Sequence, residues 1–169
     1  MTSFSLRSVK LRSGEEHRDE VEVDVEPFEI GGKRYIAVPE QVPAELAITR
    51  ASTGTVFELR LYTRLHGPCF RCLAETALDV PVFGREYQAT NPGESDELVN
   101  PYLADDRLDL TAWTRDAIAL GLADKILCRA ECAGLCPVCG GDLNVEPHEH
   151  EEEVSDPRWS ALAELRDRL

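Results

Sequence analysis

Six cysteines fall in three clusters: Cys69-Phe70-Arg71-Cys72, Cys128-x3-Cys132, and Cys136-Pro137-Val138-Cys139 followed by Gly140-Gly141. Two thiols three residues apart on a tight turn aim their sulfurs at one ion, while backbone N–H groups around the turn offset the thiolate charge. Pro137 and the glycine pair suit such a turn. Six ligands are two too many for one tetrahedral site and two too few for two. His148-x-His150, nine residues beyond Cys139, supplies the missing pair. The expectation is two zinc ions held by Cys69, Cys72, Cys128, Cys132, Cys136, Cys139, His148 and His150. Closed four-ligand shells leave no position for substrate or water, which makes such zinc structural. The alternative for the two histidines is a solvated tail, since Glu146, Glu149, Glu151, Glu152 and Glu153 surround them.

Two divisions of the ligands are open. One joins Cys69 and Cys72 to Cys128 and Cys132, and Cys136 and Cys139 to His148 and His150. Its second site closes locally, as loop-closure entropy favours. The other keeps Cys128, Cys132, Cys136 and Cys139 together and leaves Cys69 and Cys72 to find the histidines. Redox use of the pairs is disfavoured, because neither C-x2-C opens a helix after a strand. No G-x-S-x-G, H-E-x-x-H or glycine-rich phosphate loop is present, so no enzyme is expected.

The elements that must position these ligands change character along the chain. Val21, Val23 and Val25 alternate with Glu22, Asp24 and Glu26, the period-two pattern of a half-buried strand. Gly31-Gly32 turns the chain into Tyr35–Val38, which Pro39 stops, and Ala44–Thr49 reads as a third strand. From Thr55 to Leu65, Phe57, Leu59, Leu61, Thr63 and Leu65 point one way, and Glu58, Arg60, Tyr62, Arg64 and His66 the other. Ala77–Tyr87 is again extended, across Pro81. Residues 90–107 are acidic and turn-rich and read as a loop without a core of its own. At Asp109 the period becomes helical, with Leu110, Trp113, Ala117 and Leu120 on one face. A second helix is expected from Asp156-Pro157 to the C-terminus.

The expected fold is α+β. Its N-terminal half is an antiparallel β-meander or partly open barrel, and its C-terminal half is zinc-stapled with two helices. Residues 1–89, 90–107 and 108–169 then form a β-rich part, an acidic loop and a helical, metal-bearing part within one cooperative unit.

The run of residues resembles the YceD family, the large ribosomal RNA subunit accumulation proteins. The resemblance rests on Cys69-Phe70-Arg71-Cys72-Leu73, Asp109-Leu110, the run from Cys128 through Gly134-Leu135-Cys136-Pro137-Val138-Cys139-Gly140-Gly141-Asp142-Leu143-Asn144, and Asp156-Pro157-Arg158. Many relatives carry C-x-C after the Leu-Asn, where this chain has His148-Glu149-His150. The resemblance implies a role in accumulation or processing of large-subunit ribosomal RNA and in ribosome assembly.

With 43% apolar and 30% charged residues, the chain has the composition of a globular protein, and its net charge of −14 argues against general nucleic-acid affinity. Residues 57–73, however, hold Arg60, Arg64 and Arg71 against Glu58 alone, so Arg60, Tyr62, Arg64, His66 and Arg71 are candidate contacts to precursor large-subunit ribosomal RNA. Elsewhere the acidic surface suits the alternative, a module that binds a basic ribosomal protein without touching RNA. Neither a small-molecule substrate nor a membrane is expected. The first residues lack the apolar core of a secretory signal, so a cytoplasmic location is expected.

Overall fold

The structure is a computed structural model that describes residues 1–93 and 98–150. The alternation read from Thr55 to Leu65 becomes its longest strand pair. β6 (Gly54–Pro68) pairs antiparallel with β7 (Glu75–Ala89) over its full length, from Gly54↔Ala89 to Pro68↔Glu75. Phe57, Leu59, Leu61, Thr63 and Leu65 are buried on the inner face, and Arg60, Tyr62, Arg64 and His66 lie exposed on the outer one. The other edge of β6 is shared by β5 (Gln41–Arg50), along Thr55–Leu61, and by β4 (Lys33–Ala37), at Leu65 and His66. β2 (Glu16–Asp24) lies beyond β5, and β3 (Phe28–Ile30) beyond β4.

The strand order corrects the meander expectation. β5, β6 and β7 do run as a meander, but β2 pairs with β5 across an inserted β3–β4 hairpin. That hairpin turns at Gly31 and Gly32, both at positive φ, as a two-residue turn matched to strand twist requires. The sheets are open, and the barrel alternative does not describe them.

The expected loop at 90–107 is also corrected. β8 (Leu103–Ala104) and β9 (Arg107–Asp109) form a small sheet with β1 (Ser3–Ser5), in the order β1-β9-β8. Leu108 and Asn100 are buried there. Strands of two or three residues carry too little periodicity to read, and β1 reaches β9 from the far end of the sequence.

Asp109 caps α1 (Leu110–Gly121) by accepting from the Ala112 N–H at 3.0 Å. The buried stripe of α1 is Leu110, Trp113, Thr114 and Ile118, and Leu120 is 90% exposed, so the apolar face is rotated from the one expected. Trp113 lies over Gly84 of β7, where any added Cβ would come within 2.8 Å of its Nε1. This close approach seats the helix on the inner face of the sheet. The second expected helix, from Asp156, lies outside the described residues. No helix among the described residues is long and apolar enough to cross a membrane.

Candidate metal centre and outer sheet face

The β6–β7 connection is built as a tight knuckle. The Cys69 N–H donates to the Ala74 carbonyl at 2.7 Å, and the Leu73 N–H to the Cys69 carbonyl at 3.1 Å. The third cluster repeats the pattern. There the Cys136 N–H donates to the Gly141 carbonyl at 2.8 Å, and the Gly140 N–H to the Cys136 carbonyl at 2.9 Å. In both turns the residue after the second cysteine takes positive φ, 74° at Gly140 and 62° at Leu73. Glycine adopts that conformation freely and leucine at a cost.

Two groups of four potential ligand atoms result, with all atoms of a group within 4.8 Å of one another: Cys69, Cys72, Cys128 and Cys132, and Cys136, Cys139, His148 and His150. This grouping coincides with the first of the two divisions considered from sequence. In the first group the Cys69–Cys132 sulfurs are 3.8 Å apart and the Cys72–Cys128 sulfurs 3.7 Å. A tetrahedral zinc with bonds of about 2.3 Å sets its sulfurs roughly 3.8 Å apart, so the donor set fits that ion. In the second group, His148 Nε2 stands 3.1 Å from Cys139 Sγ, while its Nδ1 meets the Glu146 carbonyl at 2.8 Å. That carbonyl fixes the ring and leaves Nε2, the atom facing Cys139, as its candidate ligand atom.

Backbone and side-chain donors surround the sulfurs. The Arg71 N–H lies 3.4 Å from Cys69 Sγ, the Gly141 N–H 3.5 Å from Cys139 Sγ, and Asn144 Nδ2 3.6 Å from Cys132 Sγ. Desolvation opposes ionisation of Cys69, yet N–H groups of Cys72, Cys128 and Arg71 bring its thiol down to about 6. The Cys139 N–H leads a similar effect on Cys136, also to about 6. Cys128, by contrast, is pushed up to about 12 by desolvation and then by the neighbouring sulfurs. Each group thus holds one thiol that gives up its proton readily, and the first group resists collecting further negative charge at Cys128, a tension that a bound cation relieves.

Two residues outside the ligand set join these parts. Arg71 donates from Nη1 to the Cys132 carbonyl at 2.7 Å, and its own carbonyl accepts from the Leu135 N–H. Asn144 accepts from the Ala133 N–H at 2.8 Å and from Arg129 at 2.7 Å, linking the second group's hairpin to the first group. Their signal in the sequence was present in the runs Cys69–Leu73 and Leu143-Asn144, but nothing local in those runs reveals which carbonyl or amide they reach.

Arg60, Tyr62, Arg64 and His66 share the outer face of β6, as expected, whereas the Arg71 side chain belongs to the metal region. Arg64 is gripped by Asp79 across the β6–β7 pair, at 2.5 and 3.0 Å, which raises the guanidinium and lowers the carboxyl. Arg60 approaches Glu58 at 3.7 Å and lies over the Phe83 ring. Phe83 and Tyr62 are each 57% exposed. Phe83 was missed in the sequence, although the alternation of Val80, Val82 and Gly84 with Pro81 and Phe83 assigns it outward.

Comparison with known proteins bears on residues 57–166, which match the family model described as Large ribosomal RNA subunit accumulation protein YceD. The chain is 32% identical over 125 residues to uncharacterized proteins of Mycobacterium tuberculosis and Mycobacterium bovis, covering 72% of this chain and 60% of each relative. An uncharacterized protein of Mycobacterium leprae is 34% identical over 102 residues, covering 57% of this chain and 46% of the relative. The chain thus spans less than two thirds of the length of these relatives. No solved structure matches it.

Proposed function

Since this chain belongs to the YceD family, we propose that it acts in the accumulation or processing of large-subunit ribosomal RNA during ribosome assembly, with two zinc ions as structural clamps. The observation that carries the zinc reading is the convergence of eight potential ligand atoms, six from three cysteine clusters and two from His148 and His150, into two groups of four. Cys69, Cys72, Cys128 and Cys132 would hold one ion and tie the β6–β7 connection to the segment after α1. Cys136, Cys139, His148 and His150 would hold the other. All four positions of each ion are filled by protein, so the metal supplies rigidity rather than a reactive water.

RNA contact is assigned to the outer face of the sheet, where Tyr62 and Phe83 offer exposed rings and Arg60, Arg64 and His66 stand beside them. Exposed rings beside cations stack unpaired bases. The second reading, contact with a basic protein, draws support from the pairing of Arg64 with Asp79 and of Arg18 with Glu16 and Glu45. Those carboxylates would compete with phosphate.

Gradient sedimentation of ribosomal particles from cells lacking the protein tests the assembly role. A deficit of large subunits with accumulation of precursor RNA is expected. An unchanged profile with normal mature RNA overturns the reading.

A further inference from the structure

Among the described residues, β2 is an edge strand, paired on one side only, to β5. The Glu15 carbonyl accepts from the Arg50 N–H, just beyond the first paired residues Glu16↔Thr49. Alternate residues His17, Asp19, Val21 and Val23 therefore exchange hydrogen bonds with β5. Two independent facts agree. Pro43, which has no N–H, stands opposite Glu22, and the Asp24 N–H turns away from β5 to Thr2 Oγ1 at 3.1 Å. The N–H and C=O groups of Glu16, Arg18, Glu20 and Glu22 consequently face outward, and the Arg18, Glu20 and Glu22 N–H groups have no partner among the described residues.

The other long edge, on β7, carries Pro81 at an outward-facing position, a feature that blocks strand addition. β2 has no such block. Its outward-bonding residues carry their side chains on the outer face, where Glu20 and Glu22 are exposed and free of ion pairs among the described residues. Val21, half-buried, lies on the opposite face.

We propose that the open edge of β2 takes up an extended, basic segment of a partner protein as an added strand. Backbone pairing and side-chain chemistry select the same residues. In an antiparallel addition, every partner residue that bonds to Glu20 or Glu22 also places its side chain on the outer face, beside those carboxylates. Lysine or arginine belongs there. The intervening partner residues fall beside Val21 and are apolar. The occupant is thus a segment alternating basic and apolar residues. A second copy of this chain would bring Glu16, Glu20 and Glu22 up to the same three carboxylates with only Arg18 to offset them, so the net acidic edge disfavours self-pairing. The proposal rests on the strand edge alone and stands apart from the ribosomal RNA reading.

The probe is a nine-residue peptide alternating lysine and valine, titrated into the full chain at low ionic strength while amide hydrogen exchange is followed. Binding with protection of the Arg18, Glu20 and Glu22 amides is expected. Methylation of the lysine backbone nitrogens, which preserves charge, should weaken binding about tenfold or more. Glu20→Lys with Glu22→Lys should weaken the unmethylated peptide by a similar factor. Absence of binding, binding without protection of those amides, or equal affinity for the methylated peptide overturns the proposal. So does protection that rises with protein concentration in the absence of peptide, which would mean a second copy. None of these results depends on ribosomal particles, so failure here is distinct from failure of the assembly role.

Discussion

Arg71 reaches across the first group of cysteines and donates to the carbonyl of Cys132 at 2.7 Å. A residue lying between two thiols of one knuckle therefore grips the backbone of a third. Arg71→Ala should leave the zinc content unchanged and cost about 1 kcal/mol of stability, the scale of one partly exposed hydrogen bond. Chemical denaturation with metal analysis checks this. Loss of an ion in the variant would contradict it.

Native mass spectrometry should find two zinc ions per chain. His148→Ala with His150→Ala should lose one of them, make Cys136 and Cys139 open to alkylation, and leave Cys69 protected. If Cys69 became reactive while Cys136 stayed protected, the ligands would be divided in the other way.

Leu73 occupies a backbone conformation that its counterpart Gly140 adopts without strain. Its side chain is exposed, so little packing is lost on removing it. Leu73→Gly should raise stability by about 1 kcal/mol, the left-handed penalty for a non-glycine residue. A fall in the denaturation midpoint would show that the side chain contributes more than the strain costs.

In the metal-free chain His148 is raised from 6.5 to about 9, first by the Glu146 carbonyl and then by the sulfurs of Cys139 and Cys136. Because the folded value lies above the unfolded one, this contribution to stability is fully present below pH 6.5 and disappears as pH rises through about 9. Zinc requires the neutral ring, so loading at pH 7 must expel that proton together with those of the thiols. Titration in weak buffer should record proton release, and affinity should fall as the solution is acidified. Proton uptake on loading would be incompatible with these ligands.

If the outer face binds RNA as proposed, it makes two separable contributions. Tyr62→Ala with Phe83→Ala should weaken binding of single-stranded precursor RNA by about 1–3 kcal/mol per stacked base without changing its salt dependence. Arg60→Ala with Arg64→Ala should instead make the salt dependence shallower, by roughly 0.7 of a slope unit per lost phosphate contact on a single strand. Folded, zinc-loaded variants with unaltered RNA affinity would favour the protein-binding reading.

What was legible in the sequence was periodic or local. The five inward residues from Phe57 to Leu65 are buried because one β-face excludes water, and alternation records that directly. The Asp109 cap was readable for the same reason: its partner is three residues away. Leu120 was misplaced because a single apolar residue can extend a stripe in either direction, and only the sheet decides which side of α1 is covered. Pairing of β1 with β9 joins residues about a hundred positions apart, and no pattern within either strand encodes it. The members of the two candidate metal groups could be read from the spacing of the cysteines and of His148 and His150, but the supports from Arg71 and Asn144 act across the fold.

The span of the first group bears on the order in which the chain can mature. Cys69 and Cys132 are 63 residues apart, whereas Cys139 and His148 are separated by only 9. The longer closure costs roughly 2 kcal/mol more chain entropy. A nascent chain can therefore complete the histidine-bearing group as soon as Cys136 to His150 have emerged. The all-cysteine group has to close across β7, β8, β9 and α1, so its metal would report that the β6–β7 connection and the segment after α1 have found each other. An intermediate with one ion, filled at the later-synthesised but more local site, is the natural way station.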